Sequence, residues 1–351
     1  MRTLIFCMLV LPAFVTQAQP PPALPCMKGD AKCAAAERLK SPTRNKSYWA
    51  AAFDKPLEQR FGIAPEELLV YLNLDNMAEG FPNTPQAVTP SADLLKDVGD
   101  AIAELPIEIK ALVDKKLAGI YFVSDLGGTG YTDYARGGWF SRDTGFIVLD
   151  MDVLARQSAN AWATWKENTP FRPDAAYQLE AQIENAAGDN RKNAIQYILL
   201  HELAHVLSIG EDFHPEWDKP RRSLEKFPFS HLSWKFVPAD GSYETRYDES
   251  FSRIRKDVKY YFGAKLDASR MNEAYEKLQA TNFPTLYAAT NPMDDFAESF
   301  VTYVHTVLQK RPWEIRLFRE GKLARRVVAC WEEKRCAEKR RLLESILGIK
   351  P

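Results

Sequence analysis

The chain has 351 residues, of which 46% are hydrophobic and 26% are charged, and its formal net charge at pH 7 is −1. This length fits one large domain or two modest ones, and the composition is that of an ordinary globular protein. The nearly balanced charge argues against nucleic acid or an anionic membrane as the principal partner. Basic residues near the C-terminus are interleaved with acidic ones, which predicts a solvated helix face that includes Arg325, Arg326, Lys339, Arg340 and Arg341.

The first 18 residues have the features of a signal peptide. Arg2 gives a positive start, the apolar stretch 3–15 is too short to span a bilayer, and Ala18 ends a small-residue cleavage site. We therefore expect cleavage after Ala18 and a secreted or periplasmic mature chain that is not stably inserted in a membrane. An uncleaved anchor is the alternative interpretation.

Four cysteines remain after such a cleavage, namely Cys26, Cys33, Cys330 and Cys336. In an oxidising compartment an even number of cysteines predicts disulfides, and four cysteines allow three pairings. The short spacings favour the local pairs Cys26–Cys33 and Cys330–Cys336, while pairing between the two ends of the chain stays open. Neither spacing is that of a four-cysteine zinc site.

The first part of the mature chain, residues 31–106, is predicted to be mostly helical. Apolar residues recur there at spacings of three and four in the segments 47–60, 65–79 and 91–105. The character then changes, because 120–123 and 145–150 are apolar runs typical of strands, and 137–140 continues this strand character. The glycine-rich piece 127–130 lacks the lysine of a phosphate loop and predicts a turn.

The sequence His201-Glu202-Leu203-Ala204-His205 is an H-E-x-x-H motif inside a helical pattern. Residues 191–209 contain neither glycine nor proline, Asn190 is a capping candidate, and Gly210 follows the last periodic position. On a helix, residues four apart share a face, so both imidazoles can bind a single metal ion. The alternative is a helix whose two histidines merely pack or face water.

The segment 211–287 follows the motif helix and divides into two parts. Its first half is rich in proline and aromatic residues and predicts an ordered loop, whereas 247–280 predicts helix. The first half contains His214 and His231, and either could be a further metal ligand. Because neither belongs to a ligand-spaced pair, a surface or core histidine is the favoured interpretation.

Two histidines do not complete a catalytic zinc site, which usually has three protein ligands and a water. The residue eleven after the first histidine is Asp212, which excludes the metzincin pattern. The best carboxylate source is the predicted helix that begins around 294–300, where Asp294 and Glu298 lie four apart on one face. One of them can bind zinc while the other accepts a hydrogen bond from a ligand histidine, and spacing alone leaves the choice open.

These residues resemble those of zincin peptidases of the gluzincin type, and most of all the family of the anthrax lethal factor catalytic domain and the Pro-Pro endopeptidases. The resemblance rests on the motif 201–205 and on the segment 287–300. It implies that Tyr287 stabilises the oxyanion, that Asp294 binds Zn²⁺ and that Glu298 supports a ligand histidine. The chain departs from the family in having aspartate where the family's third ligand is glutamate.

We therefore expect an α+β chain with four parts. A signal peptide (1–18) precedes a mostly helical N-terminal region (19–110), and a helical tail (311–351) ends the chain. Between them, 111–310 is expected to form a zincin-like metallopeptidase domain with a small mixed sheet and the H-E-x-x-H helix.

The expected function is that of a zinc-dependent endopeptidase acting on peptide or protein substrates along an edge strand, for which 145–149 is the candidate. A non-proteolytic zinc-binding or sensing protein on a zincin fold is one alternative, and a zinc amidase acting on cell-wall peptide is another. The residues of the expected site are Glu202 as general base, Tyr287 as oxyanion donor, and His201, His205 and Asp294 as metal ligands.

Overall fold

The computed structural model describes residues 22–138, 143–217 and 222–349. The signal peptide predicted for 1–18 lies outside the described residues, as do Trp139 and Phe140 of the strand-like segment 137–140. Gly137 and Gly138 are described, and they lie outside the strands.

Helices and strands are interspersed along the chain in an α+β arrangement with small sheets. The α-helices are α1 (Ala31–Arg38), α2 (Glu66–Glu79), α3 (Ala92–Ala103), α4 (Ile107–Val113), α5 (Met151–Leu154), α6 (Ala159–Asn168), α7 (Arg191–Ser208), α8 (Pro228–His231), α9 (Asp248–Arg255), α10 (Met271–Gln279), α11 (Pro292–Tyr303) and α12 (Ala337–Ile346). The strands are β1 (Phe61–Ile63), β2 (Gln86–Ala87), β3 (Leu117–Ser124), β4 (Gly130–Ala135), β5 (Thr144–Asp150), β6 (Phe171–Arg172), β7 (Tyr177–Gln182), β8 (Trp234–Val237), β9 (Ser242–Thr245), β10 (Leu266–Asp267), β11 (Glu314–Arg319) and β12 (Lys322–Val328).

The largest sheet is mixed and has the strand order β1-β3-β5-β4, with β2 also paired to β3. Strands β1, β3 and β5 are parallel, whereas β4 runs antiparallel to β5 and forms an edge. The edge strand predicted at 145–149 is therefore wrong, because these residues lie in β5 between two neighbours. A strand that is buried on both faces reads as a continuous apolar run, and every residue of β5 is buried.

The two faces of this sheet are covered by different helices. Phe146 and Val148 pack into a cluster that contains Leu68 and Leu72 of α2, while Ile147 and Leu149 point into the main core. Helix α7 lies against that second face. A Cβ placed on Gly145 would be 2.7 Å from Ile209 Cδ1, just beyond the end of α7, which shows how closely helix and sheet approach.

The N-terminal region is mostly helical, as predicted, but it also contributes to the sheet. Helices α2 and α3 match the predicted segments 65–79 and 91–105 within two residues at each end. The segment 47–60 forms two stretches of 3₁₀-helix instead of an α-helix, and Pro56 separates them because it lacks a backbone N–H. Strands β1 and β2 pair with β3, so this region and the following one share a sheet.

The helical tail predicted for 311–351 is wrong in its first half. Strands β11 and β12 form a hairpin whose tip, Glu320 and Gly321, has positive φ at both residues, as a tight two-residue turn requires. Strand β11 also pairs with β7. Arg325 and Arg326 consequently lie on a strand and not on a helix face, and only the end of the chain forms a helix, α12.

Two disulfides, Cys26–Cys33 and Cys330–Cys336, confirm the local pairing predicted from the spacings. Such bonds form and persist in oxidising compartments, so they fit a protein of the extracellular type. Among the residues that the structure describes, no helix is both long enough and apolar enough to cross a membrane.

Candidate metal centre

Helix α7 carries His201, Glu202 and His205, and its bounds agree with the predicted helix. The Asn190 side chain accepts a hydrogen bond from the backbone N–H of Asn193 at 3.0 Å and so caps the first turn. Almost every residue of the helix is buried, which holds the motif rigidly between the sheet and α11. Both histidines are partly exposed, and they face a cavity.

Helix α11 brings Asp294 to the same cavity. Asn291 caps this helix by accepting hydrogen bonds from the N–H groups of Met293 and Asp294 at 3.0 and 2.8 Å. The Asn291 side chain also donates to Asp294 Oδ2 at 2.5 Å, which orients the carboxylate and leaves Oδ1 facing the histidines. The predicted helix at 294–300 is thereby confirmed, with Asp294 in its first turn.

The three predicted ligand residues converge on one point. Asp294 Oδ1 lies 3.7 Å from His201 Nε2 and 3.6 Å from His205 Nε2, and one ligand atom from each residue lies within 4.8 Å of the others. These separations exceed normal hydrogen-bond lengths. Ligand atoms bound to tetrahedral zinc at about 2.0–2.1 Å are separated by roughly 3.3–3.4 Å, so the donor types suit zinc, and Asp294 Oδ1 lies within a few tenths of an ångström of that spacing from each histidine.

Glu298 contacts Nδ1 of His201, whereas the Nε2 atom of the same ring is the one near Asp294. Its Oε1 lies 3.0 Å from His201 Nδ1, which favours the tautomer that leaves the Nε2 lone pair free. Burial opposes a charged imidazole, yet the hydrogen bond and charge of Glu298 raise the pKa of His201 above its usual value. Among the described residues, the buried Nδ1 of His205 has no hydrogen-bond partner.

The remaining contacts of Glu298 explain why it stays charged while fully buried. Lys166 Nζ lies 2.9 Å from Oε1, and the Thr285 hydroxyl donates to Oε2 at 2.7 Å. Burial opposes ionisation, but the charge of Lys166 and the hydrogen bond from His201 lower the pKa of Glu298 to about 2. With its oxygens engaged in this way, Glu298 is poorly placed as a ligand, and the geometry favours Asp294.

Glu202 lines the same cavity as the three converging residues and is held by the edge strand β4. The Thr132 hydroxyl donates to Glu202 Oε2 at 2.6 Å. Gly130 lies close to the other carboxylate oxygen, since a Cβ built at Gly130 would be 2.6 Å from Glu202 Oε1. The absence of a side chain at Gly130 therefore makes room for the carboxylate.

Tyr287 also contacts His201 and lies in a short 3₁₀ turn before α11. Its ring stacks on the imidazole of His201, with centroids 5.6 Å apart and planes 10° apart. Burial raises the pKa of Tyr287 well above its usual value, so the hydroxyl stays protonated and can donate a hydrogen bond.

The site opens into two adjoining cavities. One has a volume of about 420 Å³ and is lined by both histidines, Glu202, Tyr287, Asp294, and residues of α2 and β4. The other has a volume of about 140 Å³, and its lining includes five aromatic residues and three charged ones, namely Trp162, Tyr197, Tyr261, Phe262, Tyr287, Lys166, Glu202 and Glu298. A larger depression of about 940 Å³ lies beside α12 and contains none of the site residues.

Neither His214 nor His231 joins the three converging residues. His214 is buried, its Nδ1 contacts the backbone carbonyl of Pro215 at 2.8 Å, and burial lowers its pKa to about 4. His231 is exposed and contacts Arg246. Within the described ranges, His201, His205 and Asp294 are the group of histidine, cysteine and acidic residues whose spacing suits a metal ion.

Sequence reasoning missed the residues that support the site, namely Thr132, Lys166 and Thr285. No local pattern marks them, because each reaches the site through a tertiary contact. The strand character of 130–135 was also hidden by the glycine-rich turn before it.

Comparison with known proteins gives no relative from which a function could be transferred. No family model matches the chain, and neither a curated protein nor a solved structure matches it.

Proposed function

We propose that the chain is a secreted or periplasmic zinc-dependent endopeptidase with a zincin-like fold. The observation that carries the proposal is the convergence of His201 Nε2, His205 Nε2 and Asp294 Oδ1 in a cavity that Glu202 also lines. A buried helix with H-E-x-x-H under a small mixed sheet, and a carboxylate from a second helix, is the arrangement that the resemblance to zincins implies. The two disulfides support an oxidising compartment.

The residues divide the chemistry among them. Zinc held by His201, His205 and Asp294 would polarise the scissile carbonyl and lower the pKa of a water molecule. Glu202, oriented by Thr132, takes the proton from the attacking water and later delivers it to the leaving amine. The protonated hydroxyl of Tyr287 donates to the oxygen on which negative charge develops.

The substrate backbone lies beside β4. This strand forms an edge of the sheet, so its outer backbone groups can pair with an extended peptide. Gly130, Tyr131 and Thr132 line the larger cavity with the site residues, which brings a peptide on this edge close to Glu202. The smaller cavity next to His201 gives room for an apolar side chain of the substrate.

A non-proteolytic zinc-binding or sensing protein is the rival from another class. It is disfavoured because a purely structural metal site has no need of a base, whereas Glu202 is held by Thr132 beside the ligand residues. A zinc amidase acting on cell-wall peptide would use the same residues. The choice of substrate decides between that activity and proteolysis.

A peptide-library cleavage assay on zinc-loaded wild type and Glu202→Gln tests the proposal. Cell-wall peptide is included as a second substrate class. The proposal expects peptide cleavage by the wild type and little or none by the variant. A wild type that binds zinc and cleaves nothing would favour the zinc-binding or sensing protein. A wild type that cleaves only cell-wall peptide would favour the zinc amidase.

A further inference from the structure

Lys166, in helix α6, is a fully buried lysine behind the metal centre. A buried ammonium group is unfavourable unless it is paired and well packed. Two carboxylates pair with it, since its Nζ lies 2.9 Å from Glu298 and 3.5 Å from Glu167. Glu167 in turn accepts hydrogen bonds from the hydroxyls of Tyr260 and Tyr275 at 2.8 and 3.0 Å. The buried ammonium group of Lys166 therefore has charged partners that are themselves hydrogen-bonded.

The contact with Glu298 connects Lys166 to the metal ligand His201. The same oxygen, Glu298 Oε1, is 2.9 Å from Lys166 Nζ and 3.0 Å from His201 Nδ1. The ammonium group therefore fixes the position of the atom that orients the imidazole. Without it, Glu298 would be a buried carboxylate with one of its charge partners missing, free to turn or to take up a proton.

A second contact connects Lys166 to Tyr287. The Nζ atom lies 4.8 Å from the centroid of the Tyr287 ring, within the range of a cation–π interaction. The ring of Tyr287 thus has the imidazole of His201 stacked on it and the ammonium of Lys166 over it. Trp162 and Tyr260 also face Nζ, at 5.8 and 5.7 Å, and help to enclose it.

We propose that Lys166 is a positioning residue for both halves of the site, orienting His201 through Glu298 and holding the ring of Tyr287 directly. Lys166 also lines the smaller cavity, but its proposed role acts through His201 and Tyr287 and not through a contact with the reacting atoms. The proposal rests on the proposed function, because it assigns to Lys166 the geometry of a metal ligand and of an oxyanion donor.

The chain offers a matched control, a second buried lysine whose carboxylate partner lies on the same helix as Glu298, α11. Lys339 is also fully buried, pairs with Asp295 of α11, and has its Nζ over two aromatic rings, at 5.4 Å from that of Phe229 and 4.7 Å from that of Phe283. Unlike Lys166, it has no contact with Glu298 or Tyr287 among its hydrogen bonds, ion pairs and ring contacts in the described chain. Replacing either lysine removes a buried ion pair, so loss of stability is common to both variants.

The test is the zinc affinity of wild type, Lys166→Met and Lys339→Met, measured by competition with a chelator. Circular dichroism and thermal unfolding establish that each protein is folded. Loss of an outer contact typically weakens metal binding by about 10- to 100-fold, and we expect this loss in Lys166→Met only. In the same variant kcat should fall with little change in KM, because Tyr287 would be less well held.

Unchanged zinc affinity in a folded Lys166→Met protein would overturn the proposal, as would an equal loss in Lys339→Met. If the wild type itself bound no zinc, both the proposed function and the proposed role of Lys166 would fail. A wild type that binds zinc beside an unaffected Lys166→Met protein would refute only the role of Lys166.

The single variant could fail to fold because it leaves Glu298 without its cation. The comparison is then between Glu298→Gln and the double variant Lys166→Met with Glu298→Gln, which has no unpaired charge at position 298. We expect equal zinc affinity and a lower kcat in the double variant, since of the two contacts that connect Lys166 to the site only the one with Tyr287 is left to lose. Equal kcat values would overturn the proposal.

Discussion

The Thr132 hydroxyl donates to Glu202 Oε2 over 2.6 Å, and this hydrogen bond joins the edge strand β4 to the helix that carries both histidines. It explains how a substrate paired with β4 would meet the proposed base without any large movement. The strand proposed to bind the peptide and the carboxylate proposed to act on it are positioned by the same contact.

Glu202→Gln should bind zinc as the wild type does and lose most of its activity. The amide keeps the shape and one acceptor but cannot take a proton, and removing a general base typically costs about 10² to 10⁴ in rate. Metal analysis beside a turnover assay checks both halves of this expectation. Retained turnover would remove Glu202 from the mechanism.

Gly130→Ala should also lower turnover without lowering zinc content. The new Cβ would lie 2.6 Å from Glu202 Oε1, so the carboxylate must move away from its present position. Gly128→Ala is the control, because the nearest atom to a Cβ there is 3.8 Å away. Equal activities of the two alanine variants would show that the position of Glu202 is not critical.

Tyr287→Phe should keep the fold and the metal and reduce kcat more than it changes KM. Removing one oxyanion donor costs on the order of 3 kcal/mol in the transition state. Steady-state kinetics on a cleaved library peptide measure the two constants separately. A change confined to KM would make Tyr287 a substrate contact and would contradict the role implied by the family resemblance.

Zinc should stabilise the wild type against unfolding. A ligand that binds only the folded state at about 100 times its Kd adds roughly 2.7 kcal/mol to the free energy of unfolding. Thermal unfolding with zinc and after chelator treatment measures this, with Asp294→Ala as the control that should not respond. An equal response of the control would place the bound zinc elsewhere on the chain.

The sequence predicted the two helices of the site because their signals are local. Asn190 and Gly210 delimit α7 and Asn291 caps α11, and both helices have periodic apolar residues between their ends. The spacing of the motif then placed His201 and His205 on one face.

Other features depend on contacts that no local pattern records. The choice between Asp294 and Glu298 required the packing of α11 against α7. Lys166 is 132 residues from Glu298 in the chain, so its contact with that carboxylate could not be predicted from a local sequence pattern. The hairpin β11–β12 was missed because its charged residues suit an exposed helix as well as an exposed strand.

The central claim, a zinc site made by His201, His205 and Asp294, is tested most directly by a zinc titration of wild type, Asp294→Ala and Glu298→Ala. The account predicts stoichiometric zinc in the wild type and none in Asp294→Ala. Glu298→Ala should still bind one zinc ion when zinc is added, with an affinity that is weaker by about 10- to 100-fold. Asp294→Glu should retain some metal. Stoichiometric zinc in Asp294→Ala together with none in Glu298→Ala would contradict the assignment and exchange the two roles.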